Sequence, residues 1–226
     1  MIRIAILGSG NLAVNLIRSI RACPETTLTV LLSRNEPKTQ EIPAGIAHQR
    51  LSGPMPEADI FILAVSDQAI GALASQHNFG EALVVHASGA QPISLLSGLP
   101  RHGIFYPLQT FTKSHPKGLD GVPILLESNN KEDFEVLRSL ALHLGGHPCA
   151  ADSYQRLQAH LAAVLANNFT NHLWYLAAQQ LEAAGLAGSL LQPLMEETLA
   201  KAKALGPLEA QTGPARRGDT PSLEAH

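Results

Sequence analysis

The first 22 residues constrain the fold more than any other stretch of the sequence. Residues 3–7 (Arg-Ile-Ala-Ile-Leu) form the kind of apolar run that becomes a strand buried on both faces. The run leads directly into Gly8-Ser9-Gly10-Asn11-Leu12-Ala13, a G-x-G-x-x-A turn. Apolar residues then recur at helical spacing, at Leu12, Leu16, Ile17 and Ile20. A strand that ends in this turn and opens a helix predicts a dinucleotide site.

Three small residues of the turn have separate steric roles in this prediction. Gly8 permits the tight turn, Gly10 lets the backbone approach a pyrophosphate, and Ala13 lets the helix pack closely on the strand. The unpaired N–H groups at the positive end of the helix would bind the anion. A glycine turn with a purely structural use is the alternative.

Charge and composition exclude several other classes of protein. A net charge of −3 and a pI near 6.3 give no reason to expect nucleic acid or an anionic membrane as a partner. No apolar run reaches the about 18 residues that span a bilayer, and the N-terminus leaves no room for a signal peptide. Cys23 and Cys149 suit a reducing compartment and have no metal-ligand spacing, so we expect free thiols, no metal and a cytoplasmic location.

The end of the predicted second strand, residues 28–32, bears on the choice of cofactor. An NAD site usually has Asp or Glu here for the ribose 2′-hydroxyl. This strand instead ends in Ser33 and Arg34, which suit a 2′-phosphate and predict NADP (NADPH). Two alternatives remain open: Glu36 is the missing acid of an NAD site, or Arg34 is an ordinary solvated loop residue.

Strand and helix patterns alternate as far as residue 150. Further strands are predicted over residues 59–65, 83–87, 103–106 and 122–127, with a short one around 47–51. Helices are predicted from Asp67, as a capping residue, and over residues 131–144. This order predicts an α/β fold with a doubly wound, mainly parallel sheet that binds its ligand at the carboxyl ends of the strands.

The composition changes near residue 150, because residues 154–184 contain no glycine or proline and many alanines. One long helix is predicted from Tyr154 to about Gly185, and a second from about Ser189 to Ala204. We therefore predict a dinucleotide-binding domain over residues 1–150 and a smaller all-α domain over residues 151–226.

The long helix carries polar residues beside its apolar stripe. At about 100° per residue, His160, Asn167 and Asn171 fall within an arc of about 40°, and Asn168 lies beside it. Such a patch is costly to bury without partners, which predicts the wall of a ligand cleft between the domains. Loop capping or contact with water is the alternative. The imidazole of His160 can supply a proton near neutral pH.

Several stretches, in order along nearly the whole chain, carry a resemblance to one family; they are residues 6–13, 64–70, 86–89, 107–111, 160–164, 167–169, 213–214 and 217–219. The chain resembles bacterial Rossmann-like NADP oxidoreductases that carry a helical C-terminal domain of unknown function. These proteins are similar to pyrroline-5-carboxylate reductase, ketopantoate reductase and the deazaflavin-dependent NADP reductases.

The resemblance implies a homodimer with NADP(H) on the first domain, and a helical domain that closes the substrate cleft and packs against a second subunit. The implied cofactor contacts are Gly8, Ser9, Gly10, Asn11 and Leu12 for the pyrophosphate, Ser33 and Arg34 for the 2′-phosphate, and Val65, Ser66 and Ala87 for the nicotinamide. His160 and Asn168 stand where related reductases present polar groups to the substrate.

The sequence departs from the family in three places. Tyr106 stands before Pro107 where His is expected, and the helix lacks the Lys of the Lys/Asn pair that related reductases use. The relatives continue through more helix beyond His226, so either the protein or only this sequence is short, and a truncated helical domain would expose apolar surface or be completed by a partner.

Two functional hypotheses follow. The first is an NADP-dependent oxidoreductase that transfers a hydride between nicotinamide and a small C=O or C=N substrate. His160 would be the proton donor or substrate orienter, with Asn168 and Asn171 as partners and Ser88 as a lesser candidate. The second is a non-catalytic NADP(H)-binding sensor or scaffold, suggested by the missing Lys.

Overall fold

The computed structural model describes residues 1–35 and 44–225, and its core is one sheet. Its strands are β1 (Ile2–Leu7), β2 (Thr26–Ser33), β3 (His48–Arg50), β4 (Ile60–Leu63), β5 (Leu83–His86), β6 (His102–Pro107), β7 (Pro123–Ser128) and β8 (His147–Ala150). They lie in the order β3-β2-β1-β4-β5-β6-β7-β8. Every neighbouring pair is parallel except β6 and β7, which are antiparallel. The predicted Rossmann-like, mainly parallel sheet is confirmed.

Helices connect and follow the strands. They are α1 (Asn11–Ala22), α2 (Asp67–Gln76), α3 (Lys131–His143), α4 (Ser153–Ala163), α5 (Thr170–Ala183), α6 (Gln192–Leu205), α7 (Pro207–Ala210), α8 (Pro214–Arg217) and α9 (Thr220–Ala225). The chain forms two compact units, Met1–Asn167 and Asn168–His226. Strand β8 ends at Ala150, close to the change of composition in the sequence. The division into a cofactor domain and a substrate domain at that point stays a prediction.

The alternation of side chains along the strands gives the sheet two buried faces. On β1, Ile4 and Ile6 face one side, where α1 and α3 cover them. Ala5 and Leu7 face the other side, where α2 packs. The near-continuous apolar run of β1 is therefore explained by burial on both faces.

Some local predictions from the sequence were wrong. Asp67 is the first residue of α2 rather than its cap, because Ser66 occupies the N-cap position.

The predicted long helix changes its hydrogen bonding over Val164–Phe169, a π-helical segment between α4 and α5. A π-helix closes i→i+5 bonds, so each turn holds more residues than in an α-helix. The rotation of 100° per residue used to group His160 with Asn171 does not apply through this segment.

A buried ion pair anchors α4 to the sheet. Arg156 is 1% exposed, and its Nη1 donates to Glu127 Oε2 of β7 over 2.6 Å. Its Nη2 donates to the main-chain oxygen of Gln91 over 2.6 Å. Ser153, at the start of α4, donates to the same Glu127 oxygen over 2.8 Å. The first turn of α4 is therefore fixed to both β7 and the loop after β5.

The second unit, Asn168–His226, is helical and exposes many apolar side chains. Neither α5 nor α6, both fully described, contains a buried residue. Among the side chains that the structure describes in this unit, the large exposed apolar ones are Phe169, Leu173, Trp174, Tyr175, Leu176, Leu186, Leu190, Leu194, Leu199, Leu205 and Leu208. Among the described residues, no helix has both the length and the apolar character needed to cross a membrane.

We expect Arg156→Met to lower the free energy of unfolding by about 3 kcal/mol, because the Glu127 carboxylate loses its charged partner and the Gln91 main-chain oxygen loses the Arg156 donor. Urea denaturation followed by circular dichroism measures the change. The matched control is Arg138→Met, since Arg138 makes an ion pair with Glu135 and is 51% exposed. That control should change stability by less than about 0.5 kcal/mol. Equal effects of the two substitutions would contradict the anchoring role.

Candidate cofactor and substrate site

The turn between β1 and α1 approaches the end of β4 closely. Gly8 has a φ of +114°, and a Cβ at this position would lie 2.1 Å from the Ala64 main-chain oxygen. The Gly8 N–H donates to the Leu32 oxygen over 2.7 Å, which ties the turn to β2 as well. Only glycine fits this combination of positive φ and close backbone contact.

The N-terminus of α1 is open. Gly10 is the N-cap, no side chain caps the helix, and its first turn contains no acidic residue. A Cβ on Gly10 would meet no atom of the described residues within 4 Å. The positive end of the helix and its unpaired N–H groups are therefore available to an anion.

A cavity of about 1020 Å³ lies at this end of the sheet. All ten residues predicted to contact the cofactor line it, namely Gly8, Ser9, Gly10, Asn11, Leu12, Ser33, Arg34, Val65, Ser66 and Ala87. Its volume is at the upper end of the range of ligand pockets, about 300–1,000 Å³. Arg34 is charged, and the described lining residues include no Asp or Glu. The cavity therefore fits an extended, anionic dinucleotide.

Of the two residues predicted to contact the 2′-phosphate, Ser33 is buried and already hydrogen-bonded, whereas Arg34 is exposed. Ser33 is 4% exposed, and its hydroxyl lies 2.6 Å from the Asn35 oxygen and 2.8 Å from His48 Nε2. Arg34 is exposed at the edge of the cavity. Strand β3 also aligns Arg50 with Ser33, which brings a second arginine to the same edge of the sheet. Glu36, the acid of the alternative NAD interpretation, lies outside the described residues.

Ser88 belongs to a tight, buried loop after β5. It is 8% exposed, and its hydroxyl oxygen accepts hydrogen bonds from the N–H groups of Ala90 and Gln91, over 3.2 and 3.1 Å. Its own N–H donates to Nδ1 of His86, which is completely buried. Burial lowers the pKa of His86 to about 4, so this imidazole is neutral at pH 7. These groups shape the loop that follows Ala87.

His160 forms a hydrogen bond with Tyr106, a residue that was not among the site residues predicted from the sequence. The Tyr106 hydroxyl lies 2.9 Å from His160 Nδ1, and the two rings meet edge to face with centroids 5.9 Å apart. Burial raises the pKa of Tyr106, which keeps the phenol protonated at neutral pH. A Cβ on Gly89 would lie 2.6 Å from His160 Nδ1 and 2.7 Å from Tyr106 Cζ. Glycine at residue 89 therefore lets the pair pack on the loop after Ala87.

The two other candidate residues lie in the second unit. Asn168 is in the π-helical segment, and Asn171 is in α5; both are exposed. Their contact with a substrate stays a prediction. Tyr106 had one signal in the sequence, because the strand predicted over residues 103–106 ends with it, and the carboxyl end of β6 lies at the same edge of the sheet as that of β5.

Comparisons with known proteins agree with this architecture. The model of a domain of unknown function, DUF2520, matches residues 122–226. A solved structure from Bacteroides fragilis, described as a "putative NADP oxidoreductase", is 33% identical, with a TM-score of 0.86. The match covers 100% of this chain and 89% of that one. The comparison with curated proteins gave no match.

Two more distant structures have the same fold. A protein from Thermotoga maritima is 23% identical over 98% of this chain and 87% of that one, with a TM-score of 0.74. Pyrroline carboxylate reductase from Plasmodium falciparum, solved with NADP bound, is 13% identical over 90% of this chain and 79% of that one, with a TM-score of 0.60. At these identities the two likenesses establish the fold alone.

The two glycines of the turn should respond differently to alanine. We expect Gly8→Ala to lower the free energy of unfolding by about 2 kcal/mol or more, because of its positive φ and the contact with Ala64. Gly10→Ala should change it by less than about 1 kcal/mol, since the added methyl group meets open space. Thermal and urea unfolding measure both values. Similar losses for the two variants would contradict a separate, non-structural role of Gly10.

Proposed function

The chain belongs to the family of Rossmann-like NADP oxidoreductases with a C-terminal domain of unknown function, and from this premise we propose that it is an NADP-dependent oxidoreductase. It would transfer a hydride between nicotinamide and a small molecule with a C=O or C=N bond. When bound, NADPH supplies that hydride. The protein binds and orients both molecules and provides a proton.

One cavity supports this proposal most strongly. It joins the open end of α1, the exposed Arg34 and the residues at the ends of β4 and β5. The N–H groups of the turn at Gly10 would hold the pyrophosphate, and Arg34 would hold the 2′-phosphate. Val65, Ser66 and Ala87 would then flank the nicotinamide, and the loop after Ala87 leads to the Tyr106–His160 pair.

The substrate would lie beyond Ala87, where His160 provides the proton or orients the substrate. Asn168 and Asn171 are its proposed hydrogen-bonding partners. Ser88 retains only a minor place in this proposal, because its oxygen accepts from two main-chain N–H groups of its own loop. The hydrogen bond between His160 and Tyr106 favours an enzyme over a non-catalytic sensor, since it joins two groups that can exchange a proton.

The proposal includes a homodimer formed through the helical domain, in the cytoplasm. Apolar side chains are exposed along both α5 and α6, and exposed apolar surface of this kind often marks a protein–protein interface. A second copy of the same surface would cover it in a two-fold symmetric dimer. The exposed, free thiol of Cys149 suits a reducing compartment.

Arg34→Ala should weaken NADPH binding at least about tenfold and leave NADH binding nearly unchanged, because only NADPH has the 2′-phosphate. Titration by fluorescence or calorimetry gives both dissociation constants. Arg138→Ala is the charge-matched control, since Arg138 lies on α3 and pairs with Glu135.

A second variant distinguishes the pyrophosphate contact at Gly10 from the 2′-phosphate contact at Arg34. Gly10→Ala should weaken NADPH and NADH binding together, since both cofactors contain the pyrophosphate. If Arg34→Ala bound both cofactors as the parent does, the assignment of Arg34 to the 2′-phosphate would be wrong. If the parent bound neither cofactor, the proposed function would fail.

The dimer has its own test in light scattering coupled to size-exclusion chromatography. The parent should have a mass near twice 24.0 kDa. Leu173→Glu, at a side chain 63% exposed on α5, should shift the protein toward the monomer. Leu142→Glu is the matched control, at a side chain 52% exposed on α3. A monomeric parent, or equal behaviour of the two variants, would contradict a dimer through the helical domain.

A further inference from the structure

We propose that Tyr106 is the residue that delivers the proton to the substrate and that His160 acts through it. This inference rests on the proposed function and deepens it. It assigns the contact with the reacting atom to a tyrosine that stands where related proteins are expected to have histidine. His160 becomes the group that orients the phenol and stabilises its anion.

The hydrogen-bonding capacity of the two groups decides their roles. A phenol has one proton, so a Tyr106 hydroxyl that donates to His160 has none to offer a substrate. With Nδ1 protonated, His160 donates to the Tyr106 oxygen over the 2.9 Å that separates them. The phenolic proton is then free to point toward the substrate. We assign this second arrangement to the active protein.

The ion pair between Arg156 and Glu127 anchors α4 and so holds the Tyr106–His160 pair at the carboxyl end of β6. Arg156 precedes His160 by one helical turn, a rise of about 6 Å. Its partner Glu127 lies opposite Ile104 in the β6–β7 register, and Tyr106 follows Ile104 by two residues, about 6.6 Å along the strand. The two contacts between α4 and the sheet therefore have matching spacings. The ion pair at one contact fixes the register of the hydrogen bond at the other.

The surroundings keep the Tyr106 phenol protonated before the reaction. Burial raises the pKa of Tyr106, while the positive charge of Arg156 favours the phenolate and the negative charge of Asp67 opposes it. The phenol therefore keeps its proton until another atom develops a negative charge. The nearby His86 is buried and neutral at pH 7, so it adds no charge to the site.

The proton transfer balances without another reactant. When the carbon of a C=O or C=N bond gains a hydride, the π bond breaks and its electron pair moves to the oxygen or nitrogen. That atom forms a bond to the phenolic proton, and the O–H bond of Tyr106 breaks. The resulting phenolate accepts a hydrogen bond from His160 Nδ1–H and regains a proton from water. The substrate thus gains one hydride and one proton.

The test uses Tyr106→Phe, which removes the hydroxyl and keeps the ring. The matched control is Tyr154→Phe, because Tyr154 lies on α4 and is 71% exposed. His160→Asn is the third variant, since its side-chain amide retains an N–H near the position of Nδ1, and His160→Ala is its comparison. The full-length proteins are assayed with NADPH and a panel of small 2-keto acids, aldehydes and cyclic imines.

The first measurement needs no turnover. In nitrogen-15 NMR spectra of the cofactor-free protein, Tyr106→Phe should shift the ring resonances of His160, and Tyr154→Phe should leave them unchanged. The second measurement is the dissociation constant of NADPH, which should stay within about twofold in every variant. An unchanged His160 spectrum in Tyr106→Phe would overturn the pairing.

The third measurement is turnover with saturating NADPH. Tyr106→Phe should lower kcat about 100-fold or more with a smaller change in KM, and His160→Asn should retain more activity than His160→Ala. Turnover at the parent rate in Tyr106→Phe would overturn the donor role and leave the proposed function intact. A parent protein that binds NADPH but reduces no member of the panel would contradict the proposed function, and the donor role with it.

Discussion

The contact of the β1–α1 turn with the end of β4 is the constraint on which the rest of the structure depends. Gly8, at a φ of +114°, brings the backbone against Ala64 and turns the chain into α1 without a capping side chain. The helix N-terminus is therefore left open at the edge of the sheet where β4 and β5 end. Because parallel strands end at the same edge of a sheet, the residues that follow β1 to β5 line one cavity there.

A second constraint fixes the position of α4 relative to β7, farther along the sheet beyond β5. The buried pair of Arg156 and Glu127 is expensive to remove from water, and it gives little stability compared with an apolar pair of the same size. Its value lies in fixing the position of α4 on the sheet. That position brings His160 to Tyr106 and leaves room for both only because residue 89 is glycine. The same fold that binds a dinucleotide thus brings Tyr106 and His160 together against Gly89, two residues beyond Ala87.

Local patterns in the sequence predicted most of the first unit. The apolar runs gave β1, β4 and β5, and α3 was predicted within one residue of its observed end at His143. Strand β8 was missed because its residues are mostly exposed and it contains a proline, so it has no apolar run. The antiparallel direction of β7 depends on its pairing with β6 and has no local signal.

The candidate site also has one part that local sequence patterns predicted, the cofactor cavity, and one part that depends on tertiary contacts, the Tyr106–His160 pair. The cavity-lining residues lie at or near strand ends, which the sequence reveals. Tyr106 and His160 are 54 positions apart in the sequence and meet only because α4 is anchored to the sheet.

The decisive measurement is a crystal structure of the protein with NADP⁺. We predict pyrophosphate oxygens about 2.7–3.2 Å from the N–H groups of the turn at Gly10. A bound cofactor with its pyrophosphate elsewhere, or an α1 N-terminus closed by a side chain, would contradict the account.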